Sequence, residues 1–115
     1  MMQITIWHNP RCSKSRETLS LLQERGIEPS VRLYLEDAPG EGELRDVIDR
    51  LGLRAIDLVR TKEVEFRDSG LNRKATDDEL IAAMVKHPKL IERPVVMADG
   101  KAVLGRPPEK VLDIL

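Results

Sequence analysis

The stretch QITIWHNPRCSKSR, Gln3 to Arg16, joins a β-branched apolar run to a polar, cationic turn around a single cysteine. Ile4, Thr5 and Ile6 suit a pleated, half-buried surface, so residues 3–7 are expected to form a strand. Asn9-Pro10 is a turn pair and ends it. A helix is expected to begin at Cys12 or Ser13 and to run to Arg25, with Leu19 and Leu22 facing inward and Gly26 as its stop. A strand that leads into a helix and then into a second strand makes a parallel pair with a right-handed crossover. That reading decides the fold class.

The second strand is expected at Val31–Leu35, closed by the loop EDAPGEGE. Leu44, Val47, Ile48 and Leu51 recur at helical spacing, and Gly52 breaks that helix. Between Arg54 and Leu71, AIDLVR reads as a short helix and TKEVEFRDSGLN as a loop or a further helical turn. Thr76 and Glu79 form a capping-box pair ahead of Leu80, Ile81, Met84 and Val85. His87-Pro88 ends that helix. The remainder reads as a strand, an Asp99-Gly100 hairpin turn, a second strand, and a final helix entered through Pro107-Pro108. The expected architecture is a single α/β domain over residues 1–115, with a four-stranded mixed sheet whose first pair is parallel and whose last pair is an antiparallel hairpin. A thioredoxin-like fold is the simplest member of that class, and its ligand sites lie beyond the C-terminal end of a strand such as the first.

Composition narrows the function. The net charge of −1 and an aromatic content of 3% argue against nucleic acid as a partner. No apolar run is long enough to span a membrane, and no leader-like segment follows Met1, so a cytoplasmic protein is expected. One cysteine cannot make an internal disulfide or a multi-thiolate metal site, and His8 and His87 are the only histidines. Neither a metal nor a bound cofactor is expected. Any thiol that resolves a Cys12 intermediate must therefore come from another molecule.

Cys12 falls where a strand passes into a helix, so backbone N–H groups and the positive helix end should approach its sulfur. With cations nearby, such a site lowers a thiol pKa from about 8.5 to roughly 3.5–7.5. His8, Arg11, Lys14 and Arg16 are near enough in sequence to contribute. Ser13 and Ser15 can donate to a thiolate or an oxyanion. A tyrosine-phosphatase-like loop needs Cys-x5-Arg, but that position holds Thr18. A thioredoxin dithiol needs Cys-x-x-Cys, but that position holds Ser15. A monothiol redox nucleophile remains.

The motifs HNPRCSKSR, LVRTKE, ERPVV and LGRPPE, in this order, resemble the glutaredoxin-dependent arsenate reductases. The resemblance implies a thioredoxin-like fold with a helical insertion, which would occupy the stretch between Gly52 and His87. It implies Cys12 as nucleophile, Arg60, Arg93 and Arg106 as oxyanion-binding arginines, and Arg93-Pro94 as a cis peptide bond facing the thiol. It places His8 and Ser15 as residues that tune the ionisation of Cys12. The implied activity is reduction of arsenate, with glutathione as co-substrate and glutaredoxin as partner, by a protein expected to be a monomer. Guanidinium forks suit a tetrahedral oxyanion because they donate in pairs.

Two other readings fit the same fold. One is a general glutathione-linked thiol oxidoreductase. The other is a regulator similar to the Spx transcription regulators, which contact RNA polymerase and commonly carry a Cys-x-x-Cys switch. Ser15 removes that switch here, and the three arginine motifs favour an oxyanion enzyme.

Overall fold

The structure is a computed structural model and describes residues 3–115. Residues 1 and 2, which the single-domain reading and the expected absence of a leader both include, lie outside the described residues. The chain forms β1 (Ile4–Trp7), α1 (Ser13–Glu24), β2 (Ser30–Arg32), α2 (Glu41–Leu51), α3 (Ala55–Leu58), α4 (Val64–Asp68), α5 (Asp77–Lys86), β3 (Val95–Ala98) and β4 (Lys101–Leu104). Short 3-10 helices occupy Pro88–Leu90 and Pro108–Ile114. The chain divides into two compact units, one made by the chain up to Asp37 together with Arg93–Leu115, the other by Ala38–Glu92.

The first unit holds one four-stranded sheet in the order β2-β1-β3-β4. β1 pairs with β2 in parallel, Ile6 opposite Val31, and with β3 antiparallel, Ile6 opposite Val96. β3 and β4 form the expected antiparallel hairpin through Asp99-Gly100. This is the mixed sheet of a thioredoxin-like α/β fold. Alternate residues of the central strands, Ile4, Ile6, Val96 and Ala98, meet Leu22 of α1 and Val111 in one buried cluster. Each of the isoleucine, valine and leucine side chains contributes about 1.5–3 kcal/mol when fully buried. Leu19 packs against the same cluster from a partly buried position. α1 stops one residue short of the expected Arg25, and Gly26 turns the chain away at φ +76°, a conformation that favours glycine.

Two expectations for this unit are corrected. The second strand covers Ser30–Arg32 instead of Val31–Leu35. The Arg32 carbonyl accepts from His8 N–H at 2.9 Å and closes the ladder; the Leu33 carbonyl then accepts from Glu36 and Asp37 N–H at 2.9 and 2.8 Å. Local turn bonds thus replace strand pairing. The alternation that suggested a longer strand is real, since Tyr34 is buried while Leu33 and Leu35 are 37% and 44% exposed, but it continues through a turn. The final helix is 3-10, with Lys110 N–H bonded to the Pro107 carbonyl at 3.0 Å. Proline at its entry supplies no N–H, and a segment this short closes with i→i+3 bonds while Val111 anchors it.

The second unit is helical. Leu44, Val47 and Ile48 are buried along α2, as their spacing predicts, and Gly52 ends that helix at φ +67°. AIDL and VEFRD form the short helices α3 and α4. The Thr76 hydroxyl accepts from Glu79 N–H at 3.2 Å, and the Glu79 carboxylate accepts from Thr76 N–H at 3.0 Å, which starts α5 where the capping box predicts. Leu80, Ile81 and Met84 are buried, whereas Val85 turns outward. The second unit, Ala38–Glu92, holds the stretch between Gly52 and His87 and α2 as well.

Candidate active site

Three turns of hydrogen bonding carry the chain from β1 into α1. Asn9 Oδ1 accepts from Arg11 N–H at 3.0 Å, and the Asn9 carbonyl accepts from Cys12 N–H at 3.0 Å. The Cys12 carbonyl then accepts from Arg16 N–H at 3.0 Å as the first helical bond. Cys12 is thereby the N-cap residue, and its side chain does not cap the helix. The thiol occupies the place where the first-turn N–H groups need an acceptor.

The sulfur is buried, which pushes the Cys12 pKa up, but the net effect is a lowering. The Ser15 N–H, the Arg93 guanidinium and the Lys14 N–H, each presented toward the sulfur, favour the thiolate and outweigh burial. Arg106 also reaches it, with Nη2 at 3.6 Å. Arg106 is aimed by its own backbone contact, Nε donating to the Arg93 carbonyl at 2.7 Å. Cys12, Arg93 and Arg106 therefore meet in one place, brought there by β1, the approach to β3 and the exit from β4. Both arginines precede a cis proline, Arg93-Pro94 as the resemblance implies and Arg106-Pro107 in addition.

His8 and Ser15 form a buried pair, with His8 Nδ1 2.6 Å from Ser15 Oγ. Asn9 N–H donates to the same oxygen at 3.0 Å, which leaves the hydroxyl hydrogen for the ring nitrogen. Burial, and then the charge of Arg16, lower the His8 pKa, so its ring is neutral at pH 7. Ser15 acts on the sulfur through its backbone N–H, and its hydroxyl ties His8 to the turn. Two of the local cations named by the sequence have other partners. Lys14 Nζ pairs with Glu17 at 3.5 Å, and Arg16 Nη1 donates to the Pro10 carbonyl at 2.8 Å.

Arg60 belongs to the second unit. Its backbone lies beside an isolated bridge between Val59 and Ile91, with Arg60 N–H donating to the Leu90 carbonyl at 2.7 Å. Its guanidinium is held by Glu63 at 3.1 Å and Glu92 at 2.9 Å. Partial burial opposes its charge, and the two carboxylates overcome this and raise its pKa.

The sequence marks the Asn9-Pro10 turn but not the Asn9 side chain as acceptor for Arg11 N–H, nor the second cis bond at Arg106-Pro107. Among the described residues, no group of three or more His, Cys, Asp and Glu side chains could hold a metal ion, and no helix is long and apolar enough to cross a membrane.

A thiol whose pKa is lowered by helix-end N–H groups and a guanidinium, with a second guanidinium nitrogen at 3.6 Å, suits attack on an oxyanion. The sequence matches the ArsC family over residues 7–114. It is 53% identical to the uncharacterized protein YfgD of Escherichia coli (strain K12), covering 98% of this chain and 97% of that one. It is 47% identical to an arsenate reductase of Neisseria meningitidis serogroup A, covering 100% of both. The structure of an arsenate reductase from Vibrio cholerae superposes with a TM-score of 0.95 at 50% identity, covering 99% of this chain and 98% of that one. With the family matched across nearly the whole chain, this protein belongs to the ArsC family.

Proposed function

We propose that this protein is a cytoplasmic arsenate reductase that works with glutathione and glutaredoxin. The observation that carries the reading is the Cys12 sulfur, its pKa lowered, beside Arg93 and Arg106 in a chain with no second cysteine. The Cys12 thiolate attacks arsenic, an S–As bond forms, and an As–O bond breaks with the oxygen leaving as water after protonation. Arg93 and Arg106 bind the oxyanion and offset its charge during that step. A glutathione thiolate then attacks the Cys12 sulfur. An S–S bond forms as the S–As electron pair passes to arsenic, which leaves as arsenite. Glutaredoxin attacks the glutathione sulfur of the mixed disulfide and returns Cys12 as thiolate. The two electrons come from two external thiols.

The test is a coupled assay of the purified protein with arsenate, glutathione and glutaredoxin, each omitted in turn. Turnover should require all three. Turnover of disulfide substrates without arsenate reduction would replace this reading with that of a general glutathione-linked oxidoreductase.

A further inference from the structure

Three segments of the first unit meet at one point: Thr18 from α1, Pro94 from the approach to β3, and Gly105 immediately after β4. Thr18 is fully buried. Its hydroxyl donates to the Lys14 carbonyl at 2.8 Å and lies 3.5 Å from the Gly105 carbonyl oxygen. Gly105 N–H donates to the Pro94 carbonyl at 2.9 Å. A β-carbon on Gly105 would stand 2.7 Å from Thr18 Oγ1, 2.8 Å from Pro94 Cγ and 3.1 Å from Thr18 Cγ2. Ordinary carbon contacts are about 3.5–4.0 Å. Gly105 does not have a positive φ, so close approach alone requires glycine there.

The chain positions of these residues give the contact a consequence. Gly105 precedes Arg106, Pro94 follows Arg93, and Thr18 lies on the helix that starts at Cys12. We propose that Thr18 and Gly105 are positioning residues that set how closely Arg106 approaches the Cys12 sulfur, an inference that rests on Cys12 as nucleophile. Neither obstacle to a larger residue is a flexible tip. The proline ring is fixed to the backbone, and the β-branched threonine is stiff about χ1. A methyl group at position 105 must push the end of β4 away from α1, and Arg106 moves with it. Displacement on the scale of 1 Å at a reacting centre can reduce rate by about 100-fold.

Gly105→Ala tests this in the full-length protein, by the pH dependence of Cys12 alkylation, the arsenate kinetics and thermal melting. The alkylation midpoint should rise by about one pH unit, as for loss of a nearby opposite charge. Arg106→Met should raise it similarly, and the Gly105→Ala, Arg106→Met double variant should go no higher than Arg106→Met alone. Adding Thr18→Ala to Gly105→Ala removes two of the three obstructing atoms and should bring the midpoint back toward wild type. A folded Gly105→Ala protein with a wild-type midpoint, or fully additive shifts in the double variant, overturns the proposal. Should Gly105→Ala not fold, Thr18→Ala alone should give a smaller upward shift, and an unchanged midpoint overturns it. Alkylation needs no arsenate. A shifted midpoint in a protein whose wild type does not reduce arsenate therefore rejects the reductase reading and leaves the positioning role standing.

Discussion

Nη2 of Arg106 lies 3.6 Å from the Cys12 sulfur, a contact between residues 94 positions apart. The same guanidinium donates through Nε to the Arg93 carbonyl at 2.7 Å. One planar group thus holds the backbone and the reacting atom together.

That double contact predicts the effect of Arg106→Lys. A lysine keeps the charge on a flexible stem but cannot make both contacts in a fixed plane. Arsenate turnover should fall at least about tenfold, which corresponds to loss of roughly 1.4 kcal/mol of transition-state stabilisation. The Cys12 alkylation midpoint should move less than in Arg106→Met. Wild-type steady-state kinetics in Arg106→Lys would remove this arginine from the oxyanion site.

The folded protein lowers the Cys12 pKa, so the thiolate persists at pH values where free cysteine is protonated. Alkylation should remain fast below about pH 8.5 and slow as pH falls through the folded value. The matching contribution to stability is present above the unfolded pKa and lost as pH falls through the folded one. Cys12→Ser should melt similarly and show no turnover. An alkylation midpoint at or above that of a free cysteine peptide would contradict this account.

His8 has a lowered pKa in the fold, so the unfolded chain takes up its proton first on acidification. Stability should therefore decline as pH falls below about 6.5 and recover as pH rises through the same window. His8→Gln should flatten that slope in urea titrations between pH 5 and 8, and should shift the Cys12 midpoint little because the native ring is neutral. An unchanged slope would mean that His8 does not carry this dependence.

Arg60 is held by Glu63 and Glu92, so Arg60→Ala leaves two half-buried carboxylates without their shared cation. A loss of about 1 kcal/mol is expected from denaturant melts. The resemblance to arsenate reductases also implies a part for Arg60 in binding the oxyanion. Arg60→Lys should raise KM for arsenate while leaving the Cys12 midpoint in place; an unchanged KM would confine Arg60 to a structural role.

Ser15→Cys places a thiol three residues after Cys12, in the first turn of α1. Mild oxidation should yield an intramolecular disulfide, read as protection of both thiols from alkylation and a mass loss of about two hydrogens. Two thiols that stay freely alkylated would contradict the placement of Ser15 one turn from Cys12.

The elements that could be read from the residues are those set by near neighbours. The turn at Asn9-Pro10, the glycine stops at Gly26 and Gly52, the Thr76–Glu79 capping box and the Asp99-Gly100 hairpin each act within a few positions. Leu44, Val47 and Ile48 showed their helix because a buried face repeats every turn. The second strand was read too long because alternation looks the same in a strand and in a turn that buries Tyr34. Only the carbonyl partners of Arg32 and Leu33 distinguish them.

For the site, the sequence by itself determined a lone cysteine at a strand-to-helix turn, with helix-end N–H groups close to its sulfur, because covalent connection already puts Lys14 and Ser15 one turn away. The source of the cation was decided by tertiary structure alone. Lys14 and Arg16, adjacent in sequence, extend to Glu17 and the Pro10 carbonyl, while Arg93 and Arg106 arrive through the pairing of β1 with β3 and of β3 with β4. A long charged side chain close in sequence can turn to water or to another partner at little cost, since it carries its own rotamer freedom. A guanidinium delivered by a buried sheet and aimed by a backbone carbonyl has lost that freedom in folding, and no local pattern of residues records where it points.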